Sequence, residues 1–380
     1  MAVNNKVIVF GGNHHNTLGV IRSLGEKGVN SYVLIHDDSR KSFVLKSKYI
    51  IKGWIFPTAD SCIRKILMEF PAELNKSIIF CTSDDATYAI DKNFHVLRDR
   101  FYLPLCKTAG ATTVLMDKKH ILKLAAEHSI NIPLSWEIID RIIPNGIRYP
   151  CITKPLMSVH GCKADIAICQ DEQELRHIVL SNSHCKDYII QEYIEKEKEI
   201  SILGAVLYNG DVVYSGCIDK LREGSIGSSA FAVMADNKVL GDDKQKLQSL
   251  LQDSGYTGLF SVEYLYKNGI FYFLEINFRN DGNGYVPTFT GLNLPYLWYS
   301  SCLGMNPTIP DKKNIHFPCY FVVEPTELTG FIKKRISLLN IIRDIKKADC
   351  FLLYNKHDKK PFYYQIVQLF LHRISRPFRK

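Results

Sequence analysis

Two strand-forming runs, Phe260-Ser-Val-Glu263-Tyr-Leu-Tyr266 and Phe271-Tyr-Phe-Leu-Glu275-Ile-Asn277-Phe-Arg279, are joined through an Asn268-Gly269 turn. An Asn-Gly pair between such runs signals a tight hairpin. The hairpin sets Glu263 and Glu275 on neighbouring strands, and Glu275 and Asn277, two residues apart, share one face. Two carboxylates and an amide oxygen form a hard, oxygen-only donor set of the kind that holds Mg²⁺ with nucleotide phosphates. Arg279 continues that face as a fixed cation able to fork onto phosphate oxygens. A hairpin whose polar face simply meets water would alternate in the same way. Here, however, Glu275 and Asn277 stand among Phe, Leu and Ile, and a buried carboxylate requires a partner or a metal.

Upstream of the hairpin lie residues suited to hold the rest of a nucleotide. Lys118 opens a helix after Asp117, and Lys154 lies at a strand end in Ile152-Thr-Lys154-Pro155. Either can neutralise phosphate charge as a compact cation. The extended segment Gln191-Glu192-Tyr193-Ile194 can offer backbone groups to a base edge and apolar side chains to its faces. Glu199 can accept hydrogen bonds from ribose hydroxyls. In order and spacing this set resembles the ATP-grasp superfamily over about residues 1–310. The resemblance assigns Lys118 and Lys154 to the phosphates, Glu192, Tyr193 and Ile194 to the adenine hinge, and Glu199 to the ribose. It assigns Glu263, Glu275 and Asn277 to Mg²⁺, with Mn²⁺ as a substitute, and makes Ser158-Val-His-Gly161-Cys-Lys163-Ala the lid. That loop is poorer in glycine than the family's, so Lys163 assists Gly161. Lys220 and Arg222 lead into a second loop, Glu223-Gly224-Ser-Ile-Gly227.

Within the superfamily, the run Gly11-Gly12-Asn13-His14-His15-Asn16 resembles the carboxylate–amine ligase branch, which includes D-aspartate ligases and carbamoyl-phosphate-synthetase-like proteins. His14 and His15 are either substrate contacts or capping and packing residues. A late run, His357-Asp358-Lys-Lys-Pro361-Phe362, resembles an element near the end of other members. The implied chemistry is attack of a substrate carboxylate on the γ-phosphate of ATP, then capture of the acylphosphate by an amine. Lys154, Lys220 and Arg279 would stabilise the charge that develops. A kinase on the same fold and a non-catalytic ATP-binding sensor are the alternatives.

The elements that must carry these residues follow from periodicity. Lys6-Val-Ile-Val-Phe10 reads as a buried strand, Gly11-Gly12 as a turn, and the stretch from about Asn16 to Lys27 as a helix with Leu18, Ile21 and Leu24 on one face. With a strand near Ser31–Ile35 this makes a parallel βαβ unit. The pattern recurs at Ser77–Thr82 with Ser83-Asp84-Asp85 as the helix start. The turn lacks the G-x-G-x-x-G spacing of a dinucleotide site. The chain therefore reads as α/β (α+β), in four parts. These are a Rossmann-like domain (1–112), a lid subdomain (113–187), a catalytic and metal subdomain (188–310) and a basic, helical C-terminal extension (311–380).

Composition sets outer limits. An apolar fraction of 46% and a charged fraction of 23% are those of a globular chain. The start carries no apolar signal core, and no run reaches the roughly 18 apolar residues of a spanning helix. The expectation is a cytoplasmic protein, possible as a homodimer. Eleven cysteines without any Cys-x-x-Cys, set singly in apolar runs, read as reduced small hydrophobes. Residues 311–380 hold 15 Lys/Arg against 6 Asp/Glu, whereas the preceding residues balance at 33 of each, so the net charge of +9 resides at the end. Phe362–Arg373, followed by Arg376, Arg379 and Lys380, is either an interfacial helix on an anionic membrane or a helix packed on the body. Its aromatics do not interleave with the cations, which argues against nucleic acid as a partner.

Overall fold

The computed structural model describes residues 5–39, 41–156, 166–182, 185–224, 228–333 and 336–375. Three sheets organise them. The first holds β1 (Val7–Gly11), β2 (Ser31–His36), β3 (Ile50–Phe56), β4 (Ser77–Cys81) and β5 (Phe101–Tyr102), all parallel, in the order β3-β2-β1-β4-β5. Helices α1 (His15–Gly25), α2 (Ala59–Glu69), α3 (Asp84–Lys92) and α4 (Phe94–Leu97) connect these strands. Every residue of β1 and of β4 is buried, as expected of central parallel strands covered on both faces. The strand order reverses between β1 and β4, where open α/β sheets hold ligands. Gly11 is required there: a Cβ on it would come within 1.8 Å of the Thr82 hydroxyl.

The second sheet is small and antiparallel. After α5 (Ala111–Leu115) and α6 (Lys118–Glu127) come β6 (Ser135–Ile138), β7 (Cys151–Pro155), β8 (Ala167–Cys169), α7 (Glu172–Ser181) and β9 (Tyr188–Glu192). They pair in the order β6-β9-β7-β8, and Leu175 and Val179 of α7 pack with Ile138, Cys151 and Tyr188. Asp171 caps α7 by accepting from the Glu174 amide.

The third sheet has the order β14-β13-β10-β11-β12-β15-β16. Its first members are β10 (Lys198–Val206), β11 (Val212–Glu223), β12 (Ser229–Ala235), β13 (Gly258–Lys267) and β14 (Ile270–Asn277). Helix α8 (Asp243–Asp253) lies between β12 and β13 in sequence and packs, with α6, on Phe260, Val262 and Phe273. Helices α9 (Tyr285–Phe289) and α10 (Leu294–Cys302) join the third sheet to the first: Trp298 meets Phe80 edge to face at 4.8 Å.

Residues 311–380, expected as an appended extension, are woven into the body. They contribute β15 (Cys319–Val322), α11 (Glu324–Ile332), α12 (Leu338–Lys347), β16 (Cys350–Phe351) and α13 (Lys360–Ser375). Strand β15 pairs with β12, and β16 with β15. Phe362 and Tyr364 of α13 pack on the central core, and the Lys46 ammonium lies 4.8 Å from the Tyr364 ring centre. The packed alternative thus describes the first turns of α13, in place of a free interfacial helix. Asp358 is buried against Arg22 of α1, with Nε 3.1 Å from Oδ2. Arg22 also donates to the carbonyls of Leu352, Leu353 and Asp358. The ten described cysteines are buried and form no disulfide with one another. Among the described residues, no helix is long and apolar enough to cross a membrane.

Candidate functional site

The hairpin forms as expected, with Asn268 and Gly269 both at positive φ in the turn (50° and 81°). Glu263 and Glu275 are direct partners across β13 and β14. One feature of the ladder was not anticipated. Tyr264 pairs with Phe273, so Leu274 is an extra residue, a β-bulge. Strict alternation from Phe271 and Phe273 would send Glu275 into the core. The bulge shifts the phase, so that Ile276 and Phe278 are buried and Glu275 and Asn277 face the other way.

Cations meet these oxygens. Asp117 caps α6 by accepting from the amides of Lys119 and His120, which fixes Lys118 at the first turn. The Lys118 amide donates to Leu156 O, just beyond β7, and its ammonium lies 3.4 Å from Glu275 Oε2. Lys154, on β7, donates to Gln191 Oε1 at 2.8 Å. Lys220 pairs with Glu199, whose other oxygen takes Lys196 at 2.5 Å. Arg279 donates to Asp84 Oδ1 at 2.7 Å and to Asn277 Oδ1 at 3.1 Å. The hairpin is thereby tied to the first sheet. The Asn280 amide also donates to Cys81 O, and Asn16 bridges Thr82 O and Asn280 O.

Electrostatics follow from this packing. Burial lifts the Glu263 carboxyl to about 7, with Glu275 adding to the rise and Lys220 opposing it. Burial acts on Glu275 in the same sense, but Lys118, Lys154 and Arg279 outweigh it and hold that carboxyl low. Burial lowers the Lys154 ammonium, assisted by Lys118. Lys220 is held up by Glu263 and Glu199 against its own burial. A half-buried acid facing a second carboxylate, with an amide oxygen alongside, fits a divalent cation. Among the described residues, no group of three His, Cys, Asp or Glu side chains forms a ready metal cage. Two carboxylates and an amide suit Mg²⁺, which keeps water and phosphate oxygens as its remaining ligands.

A first cleft, lined by Asp84, Met116, Lys118, Ile121, Glu275 and Asn277, opens over these groups. At the hinge, the Glu192 amide is spent on Leu134 O and that of Tyr193 on Pro150 O, whereas the Ile194 N–H has no partner among the described residues. The Tyr193 side chain is exposed and Ile194 is buried. Gly161 and Lys163, with the rest of the expected lid, lie outside the described residues, as does Ser225–Gly227 of the second loop. His14 caps α1, accepting from the Asn16 amide at 3.2 Å, and its ring lies tilted by 37° against that of His15 with ring centres 3.8 Å apart. Both line a second cleft with Asn13, Gly224, Thr326 and Lys333. Sequence reasoning missed Asp84, taken only as part of a helix start, and the Gln191 and Lys196 side chains. Of these, Gln191 carried a signal: a polar residue inside the apolar run Tyr188–Ile190.

Residues 124–293 match the family model of the ATP-grasp domain. The match covers somewhat less than half of the chain and includes the hairpin, β7 and β9, so this part of the chain is similar to ATP-grasp domains. It is 23% identical over 252 residues to a formate-dependent phosphoribosylglycinamide formyltransferase of Bacillus velezensis, covering 63% of this chain and 62% of that one. It is 24% identical over 176 residues to a D-alanine–D-alanine ligase of Fusobacterium nucleatum, covering 44% and 57% of the two chains. Among solved structures it shares the fold of the biotin carboxylase domain of Hydrogenobacter thermophilus 2-oxoglutarate carboxylase, solved with MgADP, ADP and bicarbonate. There the TM-score is 0.63 at 17% identity, over 83% of this chain and 73% of the other. The chain thus spans less than two thirds of the length of these curated relatives.

Proposed function

We propose that the protein is an ADP-forming ligase that joins a carboxylate to an amine through an acylphosphate. The observation that carries this reading is the facing pair Glu263 and Glu275 with Asn277 beside it, ringed by Lys118, Lys154, Lys220 and Arg279. Glu263, Glu275 and Asn277 would hold Mg²⁺, or Mn²⁺ in its place, and the bound ion would screen phosphate charge. Lys118 and Lys154 would neutralise phosphate oxygens, and the Ile194 amide would meet the adenine edge. Glu199 retains lone pairs for ribose hydroxyls beside its two lysines. Arg279, fixed by Asp84, is placed to stabilise the transferring phosphoryl group and the oxyanion formed when the amine attacks. The second cleft, with His14, His15 and Lys333, would receive a carboxylate or amine substrate. A soluble setting on the cytoplasmic side, where ATP is available, fits this chemistry.

The first test measures ADP release from MgATP against a panel of amino acids, uronic acids and cell-envelope precursors. ADP, phosphate and an amide formed in equal amounts from one carboxylate–amine pair is the expected result. A stable phosphorylated product would replace this reading with a kinase. Glu275→Ala and Asn277→Ala should each lower kcat by roughly a hundredfold or more while leaving the fold unchanged by circular dichroism. Unchanged turnover would remove the metal assignment.

A further inference from the structure

Among the described helices α12 has the most sharply segregated sequence, Leu-Leu-Asn-Ile-Ile-Arg-Asp-Ile-Lys-Lys, yet it is mounted with its apolar stripe outward. The residue it buries is Asp344, which meets Arg222 at 2.6 Å. Leu338, Leu339, Ile342 and Ile345 are 56%, 80%, 42% and 47% exposed. Phe331 and Ile332, at the end of α11, are 41% and 42% exposed. The acidic residues of this stretch turn inward. Glu327 joins Asp344 on Arg222, and Glu324 accepts the amides of Leu353 and Tyr354. The charges left outside are positive: Lys333, Arg343, Lys346 and Lys347 are all exposed. An apolar stripe bordered by cations, with its carboxylates withdrawn, complements a surface that is apolar below and anionic above.

We propose that α12, with the end of α11, is a docking face for an anionic phospholipid bilayer, the helix lying in the plane of the head groups. Leu338, Leu339, Ile342 and Ile345 enter the acyl boundary, and Arg343, Lys346 and Lys347 contact lipid phosphates. This goes beyond the ligase reading and does not depend on it, because the readout is lipid partition.

The test floats the full-length protein with vesicles of phosphatidylcholine, with and without phosphatidylglycerol. Binding is expected to the anionic vesicles alone and to weaken with salt. Leu339→Glu/Ile342→Glu should reduce the partition coefficient about tenfold or more, and Lys346→Glu/Lys347→Glu should do likewise. An unchanged melting temperature shows that these exposed changes leave the fold intact. Val367→Glu/Leu371→Glu on α13 should have little effect. The proposal is overturned if wild type binds neutral and anionic vesicles alike, if the α12 variants float as wild type does, or if only the α13 variant is released. It is equally overturned if the wild type fails to float and light scattering shows a dimer that Leu339→Glu/Ile342→Glu dissociates; α12 would then cover a second copy of the chain.

Discussion

At the scale of single residues, the site is a lattice of opposite charges in which each lysine has an assigned oxygen. Gln191 is the neutral member: it accepts from Lys154 at 2.8 Å and donates to Ser135 at 3.2 Å. A hydrogen bond to a charged group is worth about 1.5–3 kcal/mol, so Gln191→Leu should raise the KM for ATP by about tenfold or more. The change should leave kcat less affected, since the side chain orients Lys154 and touches no reacting atom. Glu199 makes a prediction in pH. Burial alone would raise its carboxyl, but Lys220 and Lys196 outweigh burial and hold it below the usual value of 4.5. A carboxyl depressed in the folded state adds stability that is fully present above the unfolded pKa and is lost as pH falls through the folded one. The stability gap between wild type and Glu199→Gln, measured by urea unfolding, should therefore be widest near about pH 6 and narrow towards about pH 3. A gap that stays constant over that range would mean the lysines do not stabilise the ionised form.

At the scale of elements, the bulge at Leu274 decides which way Glu275 and Asn277, the proposed metal ligands, point. Because Leu274 is the extra residue, deleting it lets Phe273, Glu275, Ile276 and Asn277 alternate strictly, with Glu275 and Asn277 still on the outward face. MgADP binding, followed by calorimetry, should therefore survive the deletion. Loss of binding with the fold retained would show that the bulge itself, beyond its register, aims these side chains. This also marks where sequence was sufficient. The hairpin, the Asn-Gly turn, the helix start at Asp117 and the parallel first unit were legible, because each is a local pattern of period, cap or turn. The bulge was not, since Phe-Leu-Glu-Ile-Asn-Phe reads the same with or without it. The pairing of Arg279 with Asp84 was not legible either, as 195 residues separate them and only the docking of the hairpin on the first sheet brings them together. The basic extension misled because its net charge described its surface and hid its inner face. There β15 and β16 continue a sheet, and Glu327, Asp344 and Asp358 are buried beside arginines.

At the scale of the whole molecule, the first sheet is fastened to the last third of the chain by Arg22. Its side chain is 0% exposed and that of Asp358 1%, and Asp358 further accepts from the Ser47 hydroxyl and the Lys48 amide. Removing one partner of a buried pair leaves the other charge without compensation, at a cost of about 3–5 kcal/mol. Asp358→Ala should therefore lower the unfolding free energy by about that amount, read from urea denaturation. A loss of less than about 1 kcal/mol would show that the carbonyls of Leu352, Leu353 and Asp358 satisfy Arg22 without the carboxylate.

That fastening also sets an order of events while the chain is being made. Arg22 leaves the ribosome well ahead of its partners, within a helix buried almost along its whole length. Its counter-charge and its carbonyl acceptors follow some 330 residues later. Until then the first α/β unit lacks the carboxylate that pairs with Arg22 in the folded protein. The final packing of α1 therefore waits until Asp358 has been synthesised and comes into reach.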